Sequence, residues 1–446
     1  MPMILRADGQ AQAAGEGTAT AAIPELAPRN CRLEGYDPVT VPPIQVSSEI
    51  IAYTSPDSTF AVTKRLLDQA RKSILIGIYD FTAAHVKLLI ERALARGVKV
   101  ELMLDLDGEN EQKLFKELSK LGADCTPAPA CSSKRHKVFR SSHEKVIVID
   151  DEWSLVQSGN YSDNSIPLNV TDGGDPDDFV SGNRDTGLAV RSKPLAKFFR
   201  KILEADIALE LEGSQAAELL PSARPDTFLL EAAPSRLPKS FFPSKTVELT
   251  RPLKVQPVLS PDNYMSFVPD RLAEAKTSIL IQQQYIRGAQ TDIELLLTKV
   301  KEARDNNEDL DVRILLGKIF SKDDLSKERT NLRLLARKFG LKLDTHVRFI
   351  DVKTFVHCHN KLILVDSDGV LVSSQNWSNA AVSENREAGL WLEHRGIANY
   401  FRRIFEHDWA IGLKKPDDTT TSSKVRPETV AKGGFIRVEA GDYKEV

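Results

Sequence analysis

The pattern His-x-Lys-x4-Asp occurs twice in this chain of 446 residues. The two copies comprise His143, Lys145 and Asp150 in the first half, and His359, Lys361 and Asp366 in the second half. An imidazole acts as a nucleophile or as a general acid and base, and an ammonium group stabilises negative charge on phosphoryl oxygens. A histidine beside a lysine is therefore suited to attacking and holding a phosphate diester.

A polar cluster and an acidic residue follow each copy in the same order. The polar clusters are Ser158-Gly159-Asn160 and Ser374-Gln375-Asn376, each at the same distance from its histidine. Farther along, Asn183-Arg184-Asp185 matches Asn385-Arg386-Glu387. Hydroxyl and amide groups donate hydrogen bonds that a phosphoryl oxygen can accept. Both halves therefore carry the same chemical groups, which favours one shared chemistry.

The first motif copy, HEKVIVID, has the pattern of a β-strand, because its apolar residues are β-branched and show no helical period. Side chains of a strand alternate between its faces, so His143 and Lys145 share one face and Asp150 lies on the other. The same alternation separates Asp366 from His359 and Lys361. We expect the histidines and lysines to meet a substrate. The aspartates are predicted to be structural, bonding the backbone or a basic side chain.

The duplication extends well beyond the motif. Ser55-Pro56-Asp57 recurs 205 residues later, the two histidines lie 216 residues apart, and Asp185 and Glu387 lie 202 residues apart. The change in offset places about fourteen extra residues in the first half, and the stretch 171–178 fits this insertion. Each half is therefore one copy of a unit of about 150–160 residues, and two such units are expected to pack as a pseudo-dimer.

Strands alternate with helical patterns in each unit, which indicates an α/β fold with helices on both faces of a sheet. We predict two tandem α/β/α sandwich domains that form a pseudo-twofold, bilobal monomer. The predicted segments are a disordered N-terminus (1–45), a first domain (46–208), a linker (209–252), a second domain (253–413) and a flexible tail (414–446).

The overall charge gives no general attraction to nucleic acid or to an anionic membrane, because the net charge is −3. Any such attraction must be local. The basic stretch 132–140 leads into His143 and is either a solvated loop or a feature that attracts an anionic substrate. His357 shares a strand face with His359, but no third ligand has a suitable spacing. We therefore predict neither a metal nor another cofactor.

The four cysteines are Cys31, Cys125, Cys131 and Cys358. Reduced thiols in a cytoplasmic protein are expected, and a disulfide between Cys125 and Cys131 in an oxidising compartment is the alternative. The N-terminus lacks the apolar region of a signal peptide, and no apolar run approaches the length of a membrane-spanning helix. A cytoplasmic location is predicted, with export by a route that needs no signal peptide as the alternative.

These residues resemble the phospholipase D superfamily, which carries a duplicated His-x-Lys-x4-Asp motif, a following Ser/Gly-x-Asn and a distal Asn-x-Glu. The resemblance covers residues 50–208 and 255–411. It implies an α/β/α sandwich in each unit and one active site at the pseudo-twofold interface. The superfamily includes phospholipases D, cardiolipin and phosphatidylserine synthases, and nucleases, so the resemblance indicates the reaction better than the substrate.

The resemblance also implies a two-step mechanism without a metal. His143 is assigned as the nucleophile that forms a phosphohistidine, and His359 as the general acid and base, with a bell-shaped pH dependence. The groups expected to hold the phosphoryl oxygens are Lys145, Lys361, Asn160 and Asn376.

The distal acids would bond the second nitrogen of each histidine and fix its tautomer. Glu387 matches the family's glutamate, and Asp185 stands in the corresponding position for His143, one methylene shorter. Ser158 and Ser374 would add hydrogen bonds near the phosphate, and Trp377 would form a wall of the pocket.

The leading functional hypothesis is a phospholipase D-type phosphodiesterase that hydrolyses glycerophospholipid or exchanges its head group, with possible peripheral membrane contact. A metal-independent endonuclease that cuts DNA or RNA is the alternative, favoured by the basic stretch but not by the net charge. A non-catalytic binding protein is the third hypothesis, which the intact set of site residues disfavours.

Overall fold

The computed structural model describes residues 31–174, 180–212 and 242–419. The first half contains strands β1 (Ile44–Val46), β2 (Glu49–Ser55), β3 (Ser73–Ile78), β4 (Lys99–Leu104), β5 (Asp124–Pro127), β6 (Lys145–Ile149), β7 (Trp153–Gln157) and β8 (Asp185–Arg191), and helices α1 (Thr59–Gln69), α2 (Ala84–Ala95), α3 (Glu109–Lys120) and α4 (Lys193–Leu211). The second half contains strands β9 (Lys245–Glu248), β10 (Leu253–Ser260), β11 (Ser278–Gln283), β12 (Asp311–Leu316), β13 (Val347–Phe349), β14 (Lys361–Val365), β15 (Gly369–Ser373) and β16 (Glu387–Glu393), and helices α5 (Tyr264–Ala273), α6 (Thr291–Asn306), α7 (Lys322–Phe339) and α8 (Arg395–Ile411).

The strands form two eight-stranded mixed sheets with the same topology. The first runs β5-β4-β3-β6-β7-β8-β2-β9, and the second runs β13-β12-β11-β14-β15-β16-β10-β1. In each sheet, the three strands at one end are parallel. The strand that follows the motif histidine pairs antiparallel with the innermost of these three, β6 with β3 and β14 with β11. The predicted fold class, two similar α/β domains in one chain, is confirmed.

The two units exchange their edge strands. β1 precedes the first unit in the chain, yet it pairs with β10 of the second sheet. β9 precedes the second unit and pairs with β2 of the first sheet. Each sheet is therefore completed by a strand from outside its own unit, which also pairs an otherwise open sheet edge.

One hydrophobic core is shared by both units. It contains side chains from both sheets and from α4 and α8, including Leu75, Leu203, Leu280 and Phe405. Two further cores lie on the outer faces, one under α1–α3 and one under α5–α7. Helices thus cover both faces of each sheet, and the inner layer joins the units.

Two buried arginines connect the units through ion pairs. Arg184 contacts Asp57 of its own unit (2.9 Å) and Asp408 of the other unit (2.8 Å), and it is 1% exposed. Burial acts to lower the pKa of Arg184, but the two carboxylates hold this pKa above its ordinary value. The guanidinium also lies 4.3 Å from the ring centroid of Phe355.

Arg386 repeats this arrangement in the second unit. It pairs with Asp262 of its own unit and with Asp206 of the first unit, and its guanidinium lies 4.3 Å from the ring centroid of Phe139. Each arginine directly precedes the acid of its triplet: Arg184 precedes Asp185, and Arg386 precedes Glu387. The ion pairs therefore anchor the chain beside those acids.

The structure differs from the predicted segment boundaries at two places. Within 1–45, residues 31–45 include the start of β1, and Tyr36 donates a hydrogen bond to Asp262 (2.8 Å). The predicted linker 209–252 contains β9, and Phe242 packs near Arg184 with 5.8 Å between its ring centroid and the guanidinium. Residues 1–30, 213–241 and 420–446 of the predicted disordered segment, linker and tail lie outside the described ranges.

A disulfide joins Cys31 to Cys131, whereas Cys125 and Cys358 are free. The expectation of four reduced thiols is therefore wrong, and so is the alternative pairing of Cys125 with Cys131. Sequence could not find this pair, because the two cysteines are 100 residues apart and meet only through the packing of the N-terminal segment.

Replacing Arg184 by alanine should lower the free energy of unfolding by about 3–5 kcal/mol, because two buried carboxylates would lose their partner. Urea denaturation of the purified protein measures this change. Arg191→Ala is the matched control, since Arg191 pairs with Glu152 at the exposed surface and its loss should leave the free energy of unfolding nearly unchanged. Equal losses in the two variants would contradict the role given to the buried pairs.

Thiol titration of the denatured, unreduced chain should find two thiols, rising to four after reduction. The variant Cys31→Ser should then show three thiols without reduction, because Cys131 loses its partner. Pairing of Cys125 with Cys131 would instead leave one thiol in that variant, and four thiols in the wild-type chain would exclude any disulfide.

Candidate active site

Both motif histidines stand just before a central strand and are fixed by the other unit. β6 begins at Lys145 and β14 at Lys361, so the histidines lie outside the strands that the sequence predicted to contain them. The backbone N–H of His143 donates to the carbonyl of Arg386 (2.7 Å), and that of His359 donates to the carbonyl of Arg184 (3.1 Å). These bonds place each histidine against the opposite unit, at the shared interface.

The lysines lie directly beside the histidines, and all four side chains are at most 2% exposed. Lys145 Nζ donates to the carbonyl of His143 (2.6 Å), and Lys361 Nζ donates to that of His359 (2.7 Å). Lys361 Nζ also lies 3.1 Å from His359 Nε2. A phosphoryl oxygen bound by this ammonium group would therefore lie next to the ring nitrogen.

Each histidine is held by the acid of the other unit. His143 Nδ1 lies 2.7 Å from Glu387 Oε2, and His359 Nδ1 lies 3.2 Å from Asp185 Oδ1. This differs from the sequence-based expectation, in which Asp185 would orient His143. The shorter acid therefore serves His359, and neither histidine can be positioned by its own unit alone.

Ser158 and Ser374 hold the distal acids, whereas the sequence placed them near the phosphate. Ser158 Oγ donates to Asp185 Oδ1 (2.7 Å), and Ser374 Oγ donates to Glu387 Oε2 (2.5 Å). Burial acts to raise the pKa of Asp185, but the charge and hydrogen bond of His359, with help from Ser158, hold this pKa below its ordinary value. The carboxylate therefore stays ionised against the imidazole.

Gly159 leaves the space that Asp185 needs. A Cβ atom at this position would lie 2.9 Å from the carboxyl carbon of Asp185, which is closer than real contacts allow. The carboxyl group of Asp185 therefore leaves no room for a side chain at position 159, the middle residue of the first Ser-x-Asn cluster.

The motif aspartates bond the backbone, in agreement with the strand alternation. Asp150 accepts from the N–H groups of residues 71–73 (2.6–2.9 Å), and Asp366 accepts from those of residues 276–278 (2.6–3.1 Å). Both have positive φ, 54° and 53°, a conformation that aspartate tolerates better than most residues. They fix the turns that lead into β3 and β11.

The remaining predicted residues take different places. Asn160 and Asn376 are buried, each three residues after the end of its strand, β7 or β15. Trp377 does not form a wall of the site; it is fully buried in the outer core of the second unit, where its Nε1 donates to Tyr264 (3.1 Å).

Sequence reasoning missed Tyr79, whose ring lies 5.0 Å from that of His143. The signal that could have found Tyr79 was its position directly after the buried strand β3.

Two basic side chains of the stretch 132–140, those of His136 and Arg140, are paired with acids. His136 and the N–H of Lys137 both bond Glu34, and Arg140 pairs with Glu384 of the second unit. The N–H of Lys137 and the side chain of His136 lower the pKa of Glu34. These contacts favour a structural role for the stretch over the attraction of a substrate.

Within the described ranges, no group of three or more His, Cys, Asp or Glu side chains is arranged to hold a metal ion. None of the helices in the described part of the chain combines the length and the apolar character that crossing a membrane requires.

The family model described as cardiolipin synthase, PLD-like domain matches residues 63–207 and 268–409. The two ranges together span more than half of the chain, and each contains one copy of the motif. The chain belongs to this family. The membership in the phospholipase D superfamily that the motif predicted is therefore confirmed.

Solved structures show the same fold. Phosphatidylserine synthase of Haemophilus influenzae Rd KW20 is 16% identical with a TM-score of 0.57, over 85% of this chain and 91% of that chain. Nuc, a phospholipase D family member of Salmonella typhimurium, is 19% identical with a TM-score of 0.30, over 36% and 94%. Of these two structures, the synthase is similar enough to support the two-lobed fold, and at this identity the fold is all it shows. No curated protein of similar sequence was found.

The variant Glu387→Gln should perturb the imidazole of His143 and leave that of His359 nearly unchanged, because the acid of the second unit bonds the histidine of the first. The imidazole ¹⁵N resonances, assigned with His→Asn variants, measure this effect. Asp185→Asn is the reciprocal variant and should perturb His359. A response within the same unit in either variant would contradict the exchanged pairing.

Proposed function

We propose that this protein is a phosphodiesterase of phospholipase D type that cleaves glycerophospholipid by hydrolysis or head-group exchange. The observation that carries the proposal is the exchange of acids between the units. Glu387 holds His143 and Asp185 holds His359, so the two histidines and two lysines belong to one buried site. One chain supplies every group of this site, which supports a monomer as the active form.

In the first step, His143 Nε2 attacks phosphorus while the bond to the head-group oxygen breaks. Glu387 accepts a hydrogen bond from Nδ1–H, which leaves the lone pair of the neutral ring on Nε2. The leaving oxygen takes a proton from His359. The product of this step is a phosphohistidine and a free head-group alcohol.

In the second step, His359 takes a proton from water or from an alcohol, which then attacks phosphorus. The bond between phosphorus and His143 breaks and restores the enzyme. Asp185 stabilises the positive charge that His359 carries before the first step and regains in the second. Lys145, Lys361, Asn160 and Asn376 are proposed to hold the phosphoryl oxygens as negative charge develops on them.

Lipid is favoured over nucleic acid as the substrate. The matching family description names cardiolipin synthase, and the structure of similar fold is a phosphatidylserine synthase. In the basic stretch that favoured a nuclease, the side chains of His136 and Arg140 are paired with acids. The Cys31–Cys131 disulfide supports an oxidising compartment in place of the predicted cytoplasm.

The purified protein should release phosphatidate from phospholipid vesicles in the presence of EDTA, and it should leave single- and double-stranded DNA and RNA intact. His143→Ala should lower the rate by about a thousandfold or more, because the nucleophile is lost. His346→Ala is the control, since His346 lies away from the motif and its side chain accepts a hydrogen bond from the backbone N–H of Lys342. Cleavage of nucleic acid without phosphatidate release would support the nuclease, and loss of activity in EDTA would exclude the metal-free mechanism.

The covalent intermediate is tested with bis(p-nitrophenyl) phosphate, whose leaving group needs no proton. His359→Ala should therefore release a burst of p-nitrophenol and accumulate an acid-labile phosphoenzyme, whereas His143→Ala should form none. The opposite pattern would exchange the roles of the two histidines.

A further inference from the structure

Residues 31–46, the N-terminal strap, run from the first unit to the second. The first residue of the strap, Cys31, is joined by the disulfide to Cys131 of the first unit. Its last residues form β1, which pairs with β10 of the second unit. Between these attachments, the backbone N–H of Val39 donates to Asp262 of the second unit (2.7 Å). The strap is therefore fixed to one unit at each end and spans the interface.

Tyr36 lies within the strap and contacts the buried arginine of the second unit. Its hydroxyl accepts a hydrogen bond from Arg386 Nη2 (2.7 Å) and donates one to Asp262 Oδ1 (2.8 Å). Its ring lies edge-on to that of Phe139, with 5.1 Å between the centroids, and its centroid is 5.1 Å from the Arg386 guanidinium. Tyr36 thus bridges the arginine and one of its two carboxylate partners.

The backbone of Arg386 is bonded to the chain at the proposed nucleophile. Its carbonyl accepts from the N–H of His143 (2.7 Å), and its N–H donates to the carbonyl of Ser141 (2.9 Å). The next residue, Glu387, holds His143 Nδ1 (2.7 Å). A change in the position of Arg386 would therefore reach both contacts that fix His143 to the second unit.

Arg184 occupies the equivalent position in the first unit, but a different group contacts it. Among the described residues, the hydroxyl that bonds Arg184 belongs to Thr54 of its own unit (3.2 Å) and not to a segment that crosses between the units. The Tyr36 contact therefore acts on the side of His143, and its loss should leave His359 nearly unchanged.

The disulfide is the covalent attachment of the strap to the first unit. The polar contacts beside it, from Glu34 to His136 and Lys137, lie at the exposed surface, where such contacts contribute little. Both cysteines of the disulfide are partly exposed, which gives a small dithiol access to the bond. Reduction would therefore leave the first residues of the strap, including Tyr36, less firmly held.

We propose that Tyr36 is a positioning residue for His143, and that the Cys31–Cys131 disulfide makes this role depend on the redox state. A dithiol reduces the bond by exchange: two electrons and two protons pass to the protein, two cysteine thiols form, and the dithiol becomes a cyclic disulfide. The end of the strap is then released, Tyr36 contacts Arg386 for less of the time, and His143 is less well oriented. The inference rests on the proposed function, because it concerns the nucleophile of that reaction. The protein is therefore more active in an oxidising compartment than in a reducing one.

The redox dependence is tested by hydrolysis of bis(p-nitrophenyl) phosphate before and after reduction with dithiothreitol. Reduction should lower kcat about tenfold and leave KM nearly unchanged, because the orientation of the nucleophile affects the chemical step and not binding. Reoxidation should restore kcat. Cys31→Ser should have the lower kcat without reduction and should not respond to dithiothreitol. Cys125→Ser, at a cysteine outside the disulfide, is the matched control and should behave as the wild-type protein does.

Tyr36→Phe tests the contact itself, because it keeps the ring and removes only the hydroxyl. This variant should have about the kcat of the reduced protein, and reduction should lower its kcat little further. Reduction and Tyr36→Phe should each shift the imidazole ¹⁵N resonances of His143 and leave those of His359 nearly unchanged. A general loss of stability would not produce this selectivity.

Full activity of either the reduced protein or Tyr36→Phe, or equal shifts of the two imidazoles, would overturn the proposal. If the oxidised wild-type protein cleaves neither phospholipid nor bis(p-nitrophenyl) phosphate, the proposed function fails and the spectra alone decide the role of the strap. A shift of His143 without a shift of His359 on reduction would then support the positioning role, and an unchanged His143 would exclude it.

Discussion

Each histidine of the site depends on a carboxylate from the opposite unit, and this exchange is the constraint on which the rest of the structure depends. Glu387 reaches His143 at 2.7 Å, and Asp185 reaches His359 at 3.2 Å, both across the interface. The acids can do so only if the two sheets keep one relative position. The packing between the units is therefore required for the chemistry as well as for the stability.

Buried arginines next to these acids maintain that position. Arg184 precedes Asp185 and binds carboxylates from both units, and Arg386 does the same before Glu387. A buried charge without a partner is strongly destabilising, so a shift between the units would be opposed at both arginines. The exchanged strands β1 and β9 add a second connection, because each completes the sheet of the other unit.

The pseudo-symmetry breaks down beside the catalytic groups, because the two sides of the reaction at phosphorus differ. A displacement at phosphorus has an attacking side and a leaving side, although both sides are built from the same motif. In the second unit Gly317 and His357 occupy the positions that Asp105 and Ser141 occupy in the first, so a glycine packed against an imidazole replaces a buried carboxylate. A duplicated unit can thus retain its catalytic groups while the residues beside them change.

The sequence by itself determined the residue types of the site, the duplication, the α/β class and the structural role of Asp150 and Asp366, because spacing along a strand decides which side chains share a face. Tertiary structure alone decided that the acids cross between units, that Ser158 and Ser374 support those acids, that Trp377 belongs to a core, and that Cys31 meets Cys131. These contacts join segments that are far apart in the chain. Local spacing carries no information about which segment lies across an interface, so only the packing of the two sheets could determine them.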